Sequence, residues 1–368
     1  MLTIGCHLSS SKGYLAMGKQ ASELGANTFA FFTRNPRGGA IKPLDPADME
    51  ALRGYLAEHH FGRLVAHAPY TCNLCSDKER AREFAYRDIR EDLERMEYLP
   101  GNYYNFHPGS HMKQGAETAA AIIADALNHL LYEGMHTTVL LETMAGKGTE
   151  VGRSFEELKA ILDRVDKPEY LGVCLDTCHV SDAGYDIISD LDGVLKTFDE
   201  VIGLPRLKAV HINDSKNPPG SHKDRHEKIG QGYLGLETFR AIVNHPYLKT
   251  LPMILETPQE KTEDYREEIA LIRSLEDTSA GAKPSAAADV KERCTDSAAA
   301  DAEKRCTDSA VAEAAGSGTD SASEFSAVSA AYPEDSQTGN IAGSPAKSSE
   351  AKVGKNIPPL KAVDHERA

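Results

Sequence analysis

Six short apolar runs in this chain end on a side chain that can bind a metal or move a proton. They read LVAH, YNFH, VLLE, VCLD, KAVH and MILE, and end at His67, His107, Glu142, Asp176, His211 and Glu256. With 14 His and 56 Asp plus Glu among 368 residues, six such endings are not what chance supplies. Three more candidates follow close behind. His179 lies three residues beyond Asp176 in DTCH, a spacing at which one turn of chain brings both side chains to the same side. Asp224 and His226 are two apart in KDRH, so in an extended segment they point the same way. Imidazole mixed with carboxylate, with no Cys required, suits Zn²⁺, Mn²⁺ or Fe²⁺ better than Ca²⁺ or Mg²⁺. A single catalytic zinc takes three protein ligands and keeps one position open, so nine residues imply a cluster of two or three ions. Taken singly, each residue has a plainer reading: a hydrogen-bonded strand-end His, a helix-capping Asp, a solvated Glu. Gathered in one place without metal, these charges would be unpaired or mutually repelled, each at a cost of several kcal/mol.

Positioning them requires strand ends that converge. Short β-type runs alternate with segments of helical period over the first 276 residues. The runs predict strands near Thr3–His7, Thr28–Phe32, Leu64–His67, Tyr103–His107, Thr138–Glu142, Gly172–Asp176, Leu207–His211 and Met253–Glu256. Between and after them, helices are predicted over Gly13–Leu24, Pro46–His59, Lys78–Tyr98, Glu117–Tyr132, Ser154–Val165, Leu191–Ile202, Leu236–Val243 and Thr262–Leu275. Eight βα units in this length make an α/β chain with the arithmetic of a (β/α)8 TIM barrel, in which the C-terminal ends of the strands carry the chemistry. An open doubly wound sheet would usually place a Gly-rich phosphate loop after its first strand, and GCHLSSSKG is not one.

From Asp277 onward Ala, Ser, Asp and Thr replace the large apolar residues. Such a segment buries too little apolar surface to offset its chain entropy, so 1–276 is expected to be the barrel domain and 277–368 a disordered tail. The tail contains an imperfect 12-residue duplication, AAADVKERCTDS followed by AAADAEKRCTDS, two copies being too few for a solenoid. The formal net charge of −15 argues against binding of nucleic acid by bulk charge alone and leaves a local basic patch open. The tail carries 10 Lys/Arg against 15 Asp/Glu, which leaves −10 on the barrel, a charge that bound divalent ions would offset. Seven dispersed cysteines without a framework pattern fit reduced thiols in a cytosol, and CNLC (Cys72 to Cys75) is a lone CxxC without a second pair. The N-terminus is too polar for a secretory signal and no run reaches the length of a membrane span, so a cytoplasmic protein with no membrane partner is expected.

The segments NFHPGSH, LETMAGKGTEVG, VCLDTCHVSDAGYD, HINDSKNPPGSHKDRHEKIGQG and LPMILETP, together with HAPY and the opening IGCHLSSSKG, resemble the signature segments of the endonuclease IV family of apurinic/apyrimidinic (AP) endonucleases. The similarity runs from Met1 to about Leu275. The resemblance implies a (β/α)8 barrel of the xylose-isomerase-like superfamily with three Zn²⁺ ions that cuts duplex DNA on the 5′ side of an abasic site. Carried over by position, His67, His107 and Glu142 would hold one ion. Glu142, Asp176, His211 and Glu256 would hold a second, and His179, Asp224 and His226 the third. Glu142 would be the catalytic bridging carboxylate that fixes the nucleophile. The products would be a 3′-hydroxyl and a 5′-deoxyribose phosphate, and blocked 3′ ends would be trimmed by the same chemistry. Arg37 in FFTRNPRGG and Tyr70 in HAPYTCN match positions where the family inserts side chains into the duplex. Lys216, Lys223 and Arg225, on the loop that would feed two metals, are candidate phosphate contacts. The protein is expected to act as a monomer.

Two rival readings share part of the pattern. A metal-dependent sugar isomerase or epimerase of the same superfamily also places Glu, Asp and His at strand ends, but needs one or two metals and would not require DTCH together with KDRH. A non-catalytic protein that binds damaged DNA would not need a complete ligand set.

Overall fold

The computed structural model describes residues 1–36 and 41–277. Arg37 and the expected tail beyond residue 277, with its duplication, lie outside the described residues.

Eight parallel strands close into a barrel: β1 (Ile4–Leu8), β2 (Ala30–Phe32), β3 (Val65–His67), β4 (Tyr103–Phe106), β5 (Thr138–Glu142), β6 (Leu171–Asp176), β7 (Leu207–His211) and, last in the chain, β10 (Met253–Leu255). Neighbours in the barrel are neighbours in sequence, and closure comes from β10 pairing β1, with Ile4 opposite Met253. Seven inward residues, one per strand from β2 round to β10, form a separate apolar layer: Ala30, Val65, Tyr103, Leu140, Cys174, Ala209 and Ile254. Side chains alternate along a strand, so the residue two further on also faces inward, one layer nearer the C-terminal mouth. Those residues are Phe32, His67, Asn105, Glu142, Asp176, His211 and Glu256. The polar layer at the mouth is therefore a direct consequence of strand periodicity above an apolar floor.

The outer helices are α1 (Tyr14–Glu23), α2 (Pro46–Glu58), α3 (Glu79–Met96), α4 (Ala116–Leu130), α5 (Phe155–Leu162), α6 (Thr177–Ala183), α7 (Leu191–Val201), α8 (Leu236–Asn244) and α9 (Tyr265–Ser274). Their starts carry ordinary signals: Asp45 caps α2 ahead of Pro46, and the Ser154 hydroxyl accepts from the Glu157 amide at the start of α5. Their apolar faces pack on the outward strand residues in one continuous core that includes Phe29, Phe31, Ile89, Leu127, Phe155, Phe198, Phe239 and Ile272. Buried Asp88 and Asp92 on α3 are answered by Arg34, whose guanidinium reaches them at 3.0 and 2.8 Å. This pairing pins the chain just after β2.

All eight predicted strands and all eight predicted helices are present, shifted at their ends by a few residues, and a 3₁₀ turn over Thr262–Asp264 leads into α9. One helix and one strand pair were not anticipated, besides short 3₁₀ turns. Helix α6 is seven residues long and almost wholly buried, so it shows no amphipathic period to read. A two-residue antiparallel pair, β8 (Asp214–Ser215) with β9 (His226–Glu227), folds the long loop after β7 back on itself. Among the described residues no helix is long and apolar enough to cross a membrane.

Candidate metal centre

Glu142, fully buried at the end of β5, is the hub of the barrel mouth. Its Oε2 lies 3.2 Å from His67 Nε2 and 3.3 Å from His107 Nε2. Its Oε1 lies 3.2 Å from His211 Nδ1 and 3.5 Å from His179 Nδ1. His211 Nδ1 in turn is 3.2 Å from Glu256 Oε2 and 4.0 Å from Asp176 Oδ2. The donor atoms of His67, His107 and Glu142 lie within 4.8 Å of one another, as do those of Glu142, Asp176, His211 and Glu256, and those of Asp176, His179 and His226. Two ligands on one tetrahedral zinc, at about 2.0–2.2 Å each, are separated by roughly 3.3–3.6 Å, so this spacing is of the right order for shared ions.

The third group is organised by α6. Asp176 caps that helix by accepting from the His179 amide at 2.9 Å, which sets the two side chains on one side as the DTCH spacing predicts. Asp224 Oδ1 approaches His179 Nε2 at 3.1 Å and His226 Nε2 at 3.8 Å. The sequence reading placed Asp224 and His226 in an extended segment, and the structure corrects this. Asp224 has a φ of 53°, in the left-handed region, and only His226 is in strand conformation. The two side chains still converge, with 3.8 Å between Asp224 Oδ1 and His226 Nε2.

Ring orientation is informative. The His67 Nδ1–H donates to the Ala68 carbonyl at 2.7 Å, and the His179 Nδ1–H to the Thr143 carbonyl at 2.8 Å. The His226 Nδ1–H donates to the Glu256 carbonyl at 3.2 Å. A carbonyl can only accept, so the proton of each neutral ring sits on Nδ1 and the Nε2 lone pair faces a carboxylate: Glu142, Asp224, and Asp176 with Asp224. Two acceptors face to face require a proton or a cation between them. With a proton supplying that charge, burial opposes ionisation of His179, but Asp176 and Asp224 outweigh it and raise the ring well above its usual range. Against the same opposition from burial, Glu142 raises His107. Burial likewise works to raise Glu142, yet His211 and His107 hold it well below the ordinary carboxylate range. Asp224 is held low by His179, and Glu256 by His211, in each case against burial.

Supporting groups that the sequence reading passed over complete the site. The Asn105 amide donates to Glu142 Oε2 at 2.5 Å. Asn213 donates to Asp176 Oδ2 at 2.7 Å and accepts from the Glu256 amide at 2.8 Å, tying β6 to β10. Outer groups of this kind orient ligands and fix their charge. The available signal was periodicity: Asn105 sits two residues before His107 and Asn213 two after His211, on the same side of an extended chain. His7, at the end of β1, was also passed over. Its ring lies tilted against those of Phe32 and His67, with centroids 4.3 and 6.2 Å away, and burial pushes its pKa down to about 4.

Of the expected DNA contacts, Tyr70, Lys216, Lys223 and Arg225 are exposed. Tyr70, 60 % exposed, stands over the centre with its ring centroid 5.8 Å from His67 and 5.7 Å from His107, braced by Phe32 at 5.1 Å. Lys216, Lys223 and Arg225 are exposed on the loop after β7. Lys216 Nζ is 3.9 Å from Glu227, and Arg225 donates to the Asp224 carbonyl at 2.9 Å. Arg37 lies outside the described residues. Cys72 and Cys75 are buried, and burial raises both thiols to about 12, so CNLC is an inert pair.

A closed parallel barrel with buried His/carboxylate groups at its C-terminal mouth is a TIM barrel whose donor atoms are spaced to hold metal ions, and residues 19–275 match the family described as xylose isomerase-like TIM barrel. Within it the chain is 59 % identical over 273 residues to the probable endonuclease 4 of Alkaliphilus oremlandii, covering 74 % of this chain and 97 % of that protein. It is 58 % identical to the probable endonuclease 4 of Clostridium botulinum, covering 74 % and 99 %. The crystal structure of endonuclease IV from Thermus thermophilus superposes with a TM-score of 0.66 at 35 % identity, covering 74 % of this chain and 98 % of that one. The chain belongs to the endonuclease IV family, which sets aside the isomerase reading.

Proposed function

We propose that this protein is a zinc-dependent DNA repair endonuclease that hydrolyses the phosphodiester 5′ to abasic sites in duplex DNA, leaving a 3′-hydroxyl and a 5′-deoxyribose phosphate. The observation that carries the reading is the set of three donor groups sharing Glu142 and Asp176, with ring lone pairs directed at carboxylates. That chemistry fits divalent cations, zinc first and Mn²⁺ or Fe²⁺ as substitutes. His67, His107 and Glu142 would hold one ion, Glu142, Asp176, His211 and Glu256 a second, and His179, Asp224 and His226 a third, where the donor group that the structure gathers takes in Asp176 beside His179 and His226. When bound, such ions would supply Lewis acidity toward the phosphodiester and lower the pKa of water toward neutral.

The chain's own groups do the rest. Glu142 joins two donor sets and so fixes their relative position, while Asn105 and Asn213 hold Glu142 and Asp176 in orientation. Tyr70 and Arg37 would stabilise a duplex whose abasic nucleotide is extruded, and Lys216 and Arg225 would meet phosphates. The same site would trim blocked 3′ ends, which present the same kind of ester. The reading is of a cytoplasmic monomer with a barrel over 1–276 and a dispensable tail.

The test is metal analysis of the purified protein combined with incision of a duplex carrying one abasic site. Close to three zinc ions per chain are expected, with incision abolished by a chelator and restored by zinc. Full activity with one metal or none would overturn the three-ion reading.

A further inference from the structure

Asp182 is a fully buried carboxylate in no candidate ligand set. It sits in the last turn of α6, where the helix dipole disfavours an anion, and among the described residues no Lys, Arg or His pairs with it. Such a group is costly to keep unless its oxygens are fully used. They are used almost entirely on the loop that follows β7. Oδ2 accepts the backbone amides of Lys223 at 3.1 Å and Asp224 at 2.8 Å, and Oδ1 accepts the Ser215 hydroxyl at 2.9 Å. The Asp182 carbonyl takes the His222 amide at 3.1 Å, and the Ser181 carbonyl takes that of Gly220 at 2.8 Å.

The loop needs this hold. His222 and Asp224 have φ of 54° and 53°, a conformation that non-Gly residues adopt only when surroundings impose it. The left-handed turn at Asp224 is what turns its carboxylate back onto His179, instead of out along an extended chain. Helix α6 thus carries His179 at its start and the grip on Asp224 at its end, one rigid turn apart.

We infer that Asp182 is the positioning residue of the third metal group: it holds the 222–224 segment so that Asp224 and His226 meet His179. The inference rests on the proposed three-ion function and adds a residue that function does not itself require.

The experiment compares Asp182→Ala with Asp182→Asn in the full chain. Ala leaves two buried loop amides without an acceptor. Asn keeps an oxygen for them and turns its amide toward Ser215, whose hydroxyl oxygen can accept. In Asp182→Ala, zinc after exhaustive dialysis should fall from three per chain toward two, and kcat on abasic duplex should drop about 10- to 100-fold with KM little changed. Asp182→Asn should recover both the zinc and most of the kcat. In the metal-loaded wild type, the amides of Lys223 and Asp224 should be among the slowly exchanging ones. Three retained zinc ions in Asp182→Ala would overturn the inference, and so would rapid exchange of those two amides, a readout that does not depend on any variant folding. A wild type holding fewer than three zinc ions would instead count against the three-ion reading on which the inference stands.

Discussion

Replacing Glu142 with Gln separates charge from shape at the hub of the site. The side chain keeps its length, and its oxygen can still accept from the Asn105 amide, now 2.5 Å from Oε2. The amide nitrogen must then occupy the Oε1 position, 3.2 Å from His211 Nδ1 and 3.5 Å from His179 Nδ1. An N–H₂ there repels either a protonated ring or a cation. On the other side, His67 and His107 at 3.2 and 3.3 Å lose a full negative charge as partner. A hydrogen bond to a charged group is worth about 1.5–3 kcal/mol. Losing two such interactions removes roughly 3–6 kcal/mol, or about 10²–10⁴ in rate at 1.36 kcal/mol per decade. The assay is kcat/KM on an end-labelled duplex with one abasic site, with zinc content measured on the same preparation. Every substrate should be affected alike, since the hub serves all of them. A Glu142→Gln enzyme retaining more than about a tenth of wild-type kcat/KM would refute the assignment of Glu142 as the shared carboxylate. His111→Ala is the control: its Nδ1 accepts the Gly115 amide at 3.2 Å and it belongs to no donor group, so its loss should be far smaller.

Three further outcomes are expected. Tyr70→Ala removes an exposed ring without touching a donor atom, so abasic incision should fall about 10- to 100-fold, the scale of one lost stacking interaction, while removal of a phosphate from a frayed 3′ end falls much less; equal losses on the two substrates would leave Tyr70 as rim structure. A chain ending at Glu276 should unfold at nearly the same temperature as the full chain and incise with kcat/KM within about twofold, and failure of that shorter chain to fold would show that the tail takes part in the domain. Stripped of metal, the protein should be most stable between about pH 4.5 and 6.5, as judged by Tm against pH. The raised pKa of His107 and His179 gives stability that is full below the unfolded value and lost as pH rises through the folded one; the depressed Glu142, Asp224 and Glu256 give stability that is full above the unfolded values and lost as pH falls from there through the folded ones. A metal-free Tm that climbs from pH 6.5 to 9 would contradict this sign.

Strand periodicity made most of the site readable before any coordinates. Once eight βα units are recognised, a His or carboxylate closing an apolar run must face the barrel mouth, because alternation from an apolar inner layer leaves it nowhere else to point. That reasoning placed His67, Glu142, Asp176, His211 and Glu256, and the one-turn spacing placed His179. It failed where geometry is not periodic. Asp224 reaches the site from a left-handed turn whose cause, the Asp182 carboxylate, lies 42 residues earlier in the chain. Nothing local singles out Asn105 and Asn213, because what they do lies in whom they touch across the barrel.

Local sequence by itself determined which residue types stand at which strand ends, since side-chain direction along a strand depends only on the backbone of that strand. Tertiary structure alone decided which of those residues share an ion-sized space, which ring nitrogen faces inward, and how the loop after β7 is bent back over the centre. Those depend on closing β10 against β1 and on hydrogen bonds between groups tens of residues apart, contacts that no local pattern encodes.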